Sequence, residues 1–311
     1  MRVAAAQTSP AWGDKVATTA KVVDWIGRAA AEGAELVVFG ETFLSGYPFW
    51  VAVTDGARWN DERQKAAYAA YLDAAVELEG PELAEITEAV RESGVFTYLG
   101  ITERGAGLGR GTVYCTLVAI DPGAGIVSAH RKLMPTYDER MVWGTGDGHG
   151  LRVHRLATGW NVGGLNCWEN WMPQARHAMY AGGEDLHIAV WPGSASLTRD
   201  ITRFIALEGR CYVLSVGSLL SVADVTPTFP LASEVAGLDL GFDGGSALAA
   251  PDGSWVVEPV VGEERLIVAD LDLERVRRER HNFDPAGHYN RPDVFDVTVD
   301  RRRLQAAKFS D

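Results

Sequence analysis

The chain has 311 residues, of which 47% are apolar and 23% charged, and it carries a formal net charge of −13. That size and apolar content suffice to bury a sizeable core, as one large α/β domain or two modest ones. The negative charge excludes nucleic acid and anionic membrane surfaces as main partners, since both need a concentrated positive field.

The first run, Val3–Gln7, reads as a strand. Nothing before it is long enough for a secretory signal, and no apolar stretch approaches membrane-spanning length, so a soluble cytoplasmic protein is expected. A helix is predicted over Val16–Ala31, stopped by Gly33, then a strand over Leu36–Phe39. Helices follow over Asp61–Leu78 and Glu82–Glu92, the second with Pro81 in its first turn and Gly94 at its end. The strands Val95–Ile101, Val113–Ile120 and Ile126–His130 come without an intervening helix, which predicts antiparallel hairpins inside a mixed sheet. Next come strand Asn161–Leu165, helix Pro173–Ala181 stopped at Gly182, strand Leu186–Trp191 and helix Thr198–Glu208. Strands Tyr212–Gly217, Ala247–Ala250, Ser254–Glu258 and Leu266–Asp270 and the helix Leu273–Arg280 complete the pattern. Glutamates interrupt the arginines of that last helix, which reads as a solvated face.

Many strands, with helices that must cover sheet faces, predict a layered sandwich. No linker is visible, so residues 1–311 read as a single domain with a short C-terminal tail from about 294. The stretches Gly105–Gly111 and Thr226–Gly245 read as excursions from it, the second long enough to be a functional loop.

Three cysteines without regular spacing exclude a disulfide framework and a zinc finger, and they fit a reducing compartment. Cys115 and Cys211 lie in apolar runs and read as small buried hydrophobes. Cys167 differs, because the run Asn161–Leu165 breaks just before it into the aromatic-rich loop Trp168-Glu169-Asn170-Trp171-Met172-Pro173. Glu41 follows the strand Leu36–Phe39, and Lys132 follows Ile126–His130. The strand ends of one sheet share an edge, and ligands of layered α/β proteins bind there, so the three residues can converge. Singly, such a Glu is a cap or loop residue and such a Lys a surface residue. Together with a strand-end thiol their chemistry is complementary.

A free thiol is only ~3% thiolate at pH 7 and needs a base or a nearby cation to act as a nucleophile. Glu41 can take the thiol proton and later that of a water. Lys132 can stabilise the thiolate and an anion developing on a substrate, and the Trp168 backbone N–H can add a second donor.

Three ordered blocks resemble the signature motifs of the nitrilase superfamily. They are Gly40-Glu41-Thr42-Phe43-Leu44-Ser45-Gly46-Tyr47-Pro48, His130-Arg131-Lys132-Leu133-Met134-Pro135-Thr136 and Asn166-Cys167-Trp168-Glu169-Asn170. The resemblance runs from Ala5-Ala6-Gln7 through Trp191-Pro192-Gly193-Ser194 and Asp243-Gly244-Gly245-Ser246 to the block Asp284–Asp293. It implies a four-layer α-β-β-α sandwich with two mixed β-sheets flanked by helices. It also implies Glu41 as general base, Lys132 as oxyanion-stabilising cation and Cys167 as nucleophile. Glu139 matches the superfamily's second glutamate, which orients substrate and lysine; from the residues alone it reads as a capping or exposed side chain.

The superfamily also contains amidases and carbamoylases, and many amidase-like members carry Asp two places after the nucleophile. Here Cys167-Trp168-Glu169 and Trp143-Gly144-Thr145-Gly146-Asp147 resemble the true nitrilases. The resemblance therefore implies hydrolysis of a small-molecule nitrile to carboxylic acid and ammonia through a covalent cysteine thioimidate and thioester. No metal or organic cofactor is required. The rival activities are those of an amidase or carbamoylase, and a non-catalytic binding protein is disfavoured by the intact Glu41, Lys132, Glu139 and Cys167. A metal site at His281 and His288 is disfavoured by irregular spacing. Trp168 and Phe49, then Tyr47 and Trp191, are the expected substrate-binding residues of an apolar pocket, which favours an aromatic or arylaliphatic nitrile and leaves an aliphatic one open. Family resemblance further implies a homodimer or higher homo-oligomer, with the helix from Pro173 in the interface.

Overall fold

The computed structural model describes residues 1–105 and 109–307. Along the first half of the chain run strands β1 (Arg2–Gln7), β2 (Leu36–Phe39), β3 (Phe96–Arg104), β4 (Val113–Asp121) and β5 (Gly125–Arg131). The second half supplies β6 (Val153–Arg155), β7 (Asn161–Asn166), β8 (Leu186–Trp191), β9 (Tyr212–Gly217) and β10 (Leu219–Leu220). It ends with β11 (Phe242–Ala249), β12 (Trp255–Val261) and β13 (Arg265–Asp270). One sheet has the order β13-β1-β2-β3-β4-β5, and the other β10-β11-β9-β8-β7-β6, with β12 paired to β11. Both are mixed. In the first, β1, β2 and β3 are parallel and β3-β4-β5 form antiparallel hairpins.

The side-chain alternation of a strand explains why the two sheets stack. In β1 and β2, Val3, Ala5, Leu36 and Val38 face the second sheet and pack with Ile188, Val190, Leu214 and Val216. The intervening Ala4, Ala6, Val37 and Phe39 face the other way, against a helix layer. That layer contains α1 (Lys15–Ala31) and α4 (Pro81–Ser93). Asp14 caps α1 by accepting from the Val16 and Ala17 amides, and Val22, Trp25, Ile26 and Ala29 form its buried stripe. Between them in sequence lie the short α2 (Trp50–Val53) and α3 (Glu62–Ala74). On the far face, α5 (Pro173–Ala181) and α6 (Ala195–Gly209) cover the second sheet, with Ile201 and Ile205 against Ala189, Val213 and Ala249. The order of layers is α-β-β-α.

Most expected elements form, and the differences have local causes. The helix expected over residues 61–78 stops at Ala74, because Ala75 turns extended and Val76 pairs with the edge of β3. Those bonds run from Val76 N–H to the Thr102 carbonyl, 3.0 Å, and from Arg104 N–H to the Val76 carbonyl, 2.7 Å. The left-handed residue after α5 is Gly183 (φ 80), while Gly182 keeps an ordinary φ of −74. The excursion at Gly105–Gly111 lies partly outside the described residues. The long excursion at Thr226–Gly245 contains α7 (Ala232–Val235) and leads into β11. Beyond α8 (Leu273–Arg280) the chain runs irregularly, and Arg303 returns to pair with Asp147 at 3.0 Å. Among the described residues no helix is long and apolar enough to cross a membrane.

Candidate active site

Glu41 stands just past β2, where its backbone must squeeze between the sheets. Its N–H donates to the Trp191 carbonyl of the second sheet at 3.1 Å. Beneath it, any Cβ on Gly100 would come within 2.1 Å of the Gly40 carbonyl, so only glycine permits this approach. Lys132 directly follows β5, with its N–H bonded to the Cys115 carbonyl at 2.8 Å. Cys167 directly follows β7 and adopts a left-handed backbone, φ 46, which costs a non-glycine residue about 1 kcal/mol or more. From the sequence all three are expected at the edge of one sheet. The structure corrects this: Glu41 and Lys132 leave the first sheet and Cys167 the second, so the site lies at the paired ends of both.

At that junction the Lys132 ammonium bridges two carboxylates. Its Nζ donates to Glu41 Oε1 at 2.9 Å and to Glu139 Oε2 at 2.6 Å. A carboxylate oxygen of Glu41, one of Glu139 and the Cys167 sulfur all lie within 4.8 Å of one another, and all three residues are buried. Glu139 sits in a 3₁₀ turn, Tyr137–Met141, where it does act as a capping residue, accepting from the Thr136 N–H. Its other oxygen accepts from the Tyr47 hydroxyl at 2.9 Å. Glu41 Oε2 is buried with no partner among the described residues.

Burial pushes the Glu41 carboxyl up to about 7, against the opposing pull of Lys132. Burial also pushes the Cys167 thiol well above its usual range, with the Glu41 charge adding to it, while Lys132 and the Trp168 backbone N–H work the other way. Burial opposes charge on Lys132, but Cys167, Glu41 and Glu139 outweigh it and hold the ammonium well above the ordinary lysine value. The resting site therefore combines a neutral thiol, a fixed cation and a carboxylate whose proton affinity is poised near neutrality. That carboxylate can accept a proton and return it.

Glu41, Glu139 and Cys167 are also, among the described residues, the single group of three side chains with metal-donor atoms this close together. The Lys132 ammonium already occupies both carboxylates, which supplies the positive charge such a set would attract. His281 and His288 join no such group among the described residues.

The site opens into a cavity of about 370 Å³. Tyr47, Phe49, Trp168 and Trp191, the four expected substrate-binding residues, all line it, as do Cys167 and Glu139. Residues Asp239–Phe242, from the long excursion before β11, form another wall. Other aromatics near the motif blocks lie elsewhere: Trp50 is in the core, Trp59 is 95% exposed, and Trp143 packs edge-on to Tyr47 with its ring 5.4 Å from Lys132 Nζ.

Glu169 distinguishes the branch in sequence, and the structure gives it a further role. The buried Glu169 carboxylate accepts from the Leu133 N–H (2.5 Å), the Asn166 N–H (2.8 Å) and His130 Nε2 (3.0 Å). Leu133 follows Lys132 and Asn166 precedes Cys167, so one side chain ties the two strand ends together. Burial opposes charge on Glu169, but the electrostatic pull of His130, then the hydrogen bonds from His130, Leu133 and Asn166, hold its carboxyl below the usual range. Behind Cys167, Asn170 Nδ2 donates to the Cys167 carbonyl at 2.8 Å, and its Oδ1 meets His187 Nε2 at 2.8 Å. His187 is held in turn by Glu184 at 2.9 Å. Glu184 and His187 lie in no motif block, so the sequence offered no signal for them. Cys211 is fully buried, as expected. Cys115 is buried too, but its thiol reaches Glu41 Oε1 at 3.3 Å, so it is more than a packing residue.

Two mixed sheets between helix layers, with this buried Glu–Lys–Glu–Cys cluster at their common end, define the class of carbon–nitrogen hydrolases. The chain belongs to the carbon–nitrogen hydrolase family, whose profile matches residues 2–281. Within that family it falls in the nitrilase branch. It is 38% identical over 293 residues to a nitrilase of Bradyrhizobium diazoefficiens, covering 92% of this chain and 88% of that one. It is 37% identical to an aliphatic nitrilase of Sinorhizobium fredii, covering 98% and 97%. The fold matches a carbon–nitrogen hydrolase from Helicobacter pylori with a TM-score of 0.68 at 17% identity, covering 94% and 96%. It also matches an amidase from Nesterenkonia sp. at 0.64 and 20%, covering 91% and 94%.

Proposed function

We propose that the protein is a nitrilase that converts a small organic nitrile to its carboxylic acid and ammonia, with Cys167 as nucleophile. The observation that carries this reading is the buried Lys132 ammonium held between Glu41 and Glu139 beside the Cys167 thiol. Glu41, poised near 7, takes the thiol proton as sulfur adds to the nitrile carbon. The nitrile nitrogen gains a proton from this cluster, Lys132 stabilises the developing charge, and a thioimidate forms. Glu41 then deprotonates a water that adds to the same carbon. The C–N bond of the tetrahedral intermediate breaks, nitrogen leaves as ammonia with the returned proton, and a thioester remains. A second water, activated in the same way, releases the acid and restores the thiol. If the tetrahedral intermediate expels the thiol instead, amide is the product.

Glu139 acts as a positioning residue, because it orients Lys132 and is itself fixed by Tyr47 and Thr136. The aromatic lining of Phe49, Trp168 and Trp191 supports an aromatic or arylaliphatic nitrile. The deciding experiment measures ammonia, acid and amide from aliphatic, aromatic and arylacetic nitriles, with the matched amides alongside. Acid and ammonia from nitriles, with matched amides turned over far more slowly, supports the reading. Amides hydrolysed as fast as nitriles would make the protein an amidase or carbamoylase instead.

The same reading includes one hydrolase domain over residues 1–311, with the segment from about 294 as a tail clasped to the body through Arg303 and Asp147. It also includes a homodimer or larger assembly in the cytoplasm. Trp171, Phe204 and Leu207 are exposed apolar residues on the outer helix layer and its approach, which supports association there. Three free cysteines support a reducing compartment. Light scattering of the purified protein tests the assembly.

A further inference from the structure

Cys115 lies on β4, directly beneath the catalytic cluster, and is 1% exposed. It touches two members of that cluster with two different groups. Its carbonyl accepts the Lys132 N–H at 2.8 Å, and its thiol donates to Glu41 Oε1 at 3.3 Å. Glu41 Oε1 is thus occupied from two sides, by Lys132 Nζ and by Cys115, while Oε2 has no partner among the described residues. We propose that Cys115 is a positioning residue of the hydrolytic site: its thiol holds the Glu41 carboxylate by one oxygen, leaving the other free for proton transfer, while its carbonyl anchors Lys132.

The chemistry of the pair follows from the environment. A thiol is a weak donor, and burial together with the neighbouring Glu41 charge holds Cys115 protonated. A protonated thiol beside a carboxylate favours the ionised form of that carboxylate, so it works against the burial that drives the Glu41 carboxyl up. Every other ionisable group facing Glu41 acts from a different element. Lys132, at the end of β5, favours its charge. Glu139 in the 3₁₀ turn and Cys167 after β7 oppose it when charged. Tyr47, after β2, and Tyr71, on α3, stay neutral because burial raises both well above the usual tyrosine value. Cys115 is therefore the one neutral donor on Glu41 among the described residues that substitution can remove without disturbing the charge of the site.

The proposal rests on Glu41 as general base, and the test separates the two. The pH dependence of kcat/KM on a neutral nitrile is measured for wild type, Cys115→Ala, Cys115→Val and Cys115→Ser, with urea melts to establish folding. The wild-type acid limb is expected near about 7. Loss of the donor in the Ala and Val variants should move that limb upward by about half to one pH unit, so kcat/KM at pH 6 falls about three- to tenfold. Ser retains an O–H donor and should bring the limb back toward the wild-type position, which a merely structural role for the side chain would not produce. Cys115→Ala keeps the comparison available if the branched Val does not fold. An unmoved limb in folded Ala or Val variants, or a Ser variant displaced as far as Val, overturns the proposal. Glu41→Gln, assayed alongside, distinguishes the failures: a wild-type rate there overturns the general-base assignment itself. An inactive Glu41→Gln with an unmoved Cys115→Ala limb overturns only the role of Cys115.

Discussion

Replacing Glu41 by Gln should make the folded protein more stable at alkaline pH while removing its activity. Burial raises the Glu41 carboxyl from 4.5 to about 7. Between those values the folded state keeps a proton that the unfolded chain has released, so stability falls as pH rises through the window. A displacement of this size corresponds to about 3 kcal/mol. An amide mimics the protonated carboxyl and does not titrate. Glu139 still pairs with Lys132 at 2.6 Å in the variant, so no buried charge is left alone. Urea denaturation of wild type and Glu41→Gln at pH 5 and pH 8.5 reads the effect. The two should differ by less than about 1 kcal/mol at the lower pH, and the variant should lead by about 2–3 kcal/mol at the higher one. A difference that stays flat with pH, or one in which wild type gains, refutes the electrostatic account. On the proposed general-base role, the ionisation that lowers stability is the one that should raise activity, the trade expected of a functional group held in an unfavourable environment.

Other outcomes follow from the geometry. Cys167→Ala and Cys167→Gly should both stop ammonia release, but the Gly variant should be about 1 kcal/mol more stable because only glycine adopts φ 46 without strain. Equal melting curves for the two would count against strain at the nucleophile. Glu169→Gln turns one acceptor into a donor facing backbone N–H groups, and it should cost about 2–4 kcal/mol with a marked fall in kcat. Urea melts and ammonia assays within error of wild type would remove the bracing role. Asp138, Glu139 and Asp239 line the cavity and, among the described residues, no lysine or arginine does, so an arylacetonitrile bearing a carboxylate should react about tenfold or more slowly than its neutral parent. That ratio should shrink with added salt, and a ratio indifferent to ionic strength would show that the carboxylates do not set it.

Much of the site was legible because its members stand at strand ends within recognisable blocks. Glu41, Lys132 and Cys167 each stand just past a short strand, and the strand before Glu41, Leu36–Phe39, is wholly apolar. Glu139 is different. Its residues signal a helix cap, and it is one, yet burial against Lys132 gives it a second task that no local pattern encodes. Cys115 misled for a related reason. A cysteine in an apolar strand is normally packing, and only the register of β4 between β3 and β5 brings its sulfur under Glu41. Glu184 and His187 left no trace in the motif blocks because they act through space, behind Asn170.

By itself the sequence determined the alternation of strands and helices, since periodicity and glycine and proline placement are local properties. The motif blocks, by resemblance, named the nucleophile, its base and its cation. The tertiary structure decided that these come from two sheets rather than one, because sheet membership depends on pairing between distant segments. It also decided that Glu169 stitches the Lys132 and Cys167 strand ends together and that Asp239–Phe242 closes the cavity. Hydrogen bonds across 36 residues and walls built from separate loops exist only once the chain has packed.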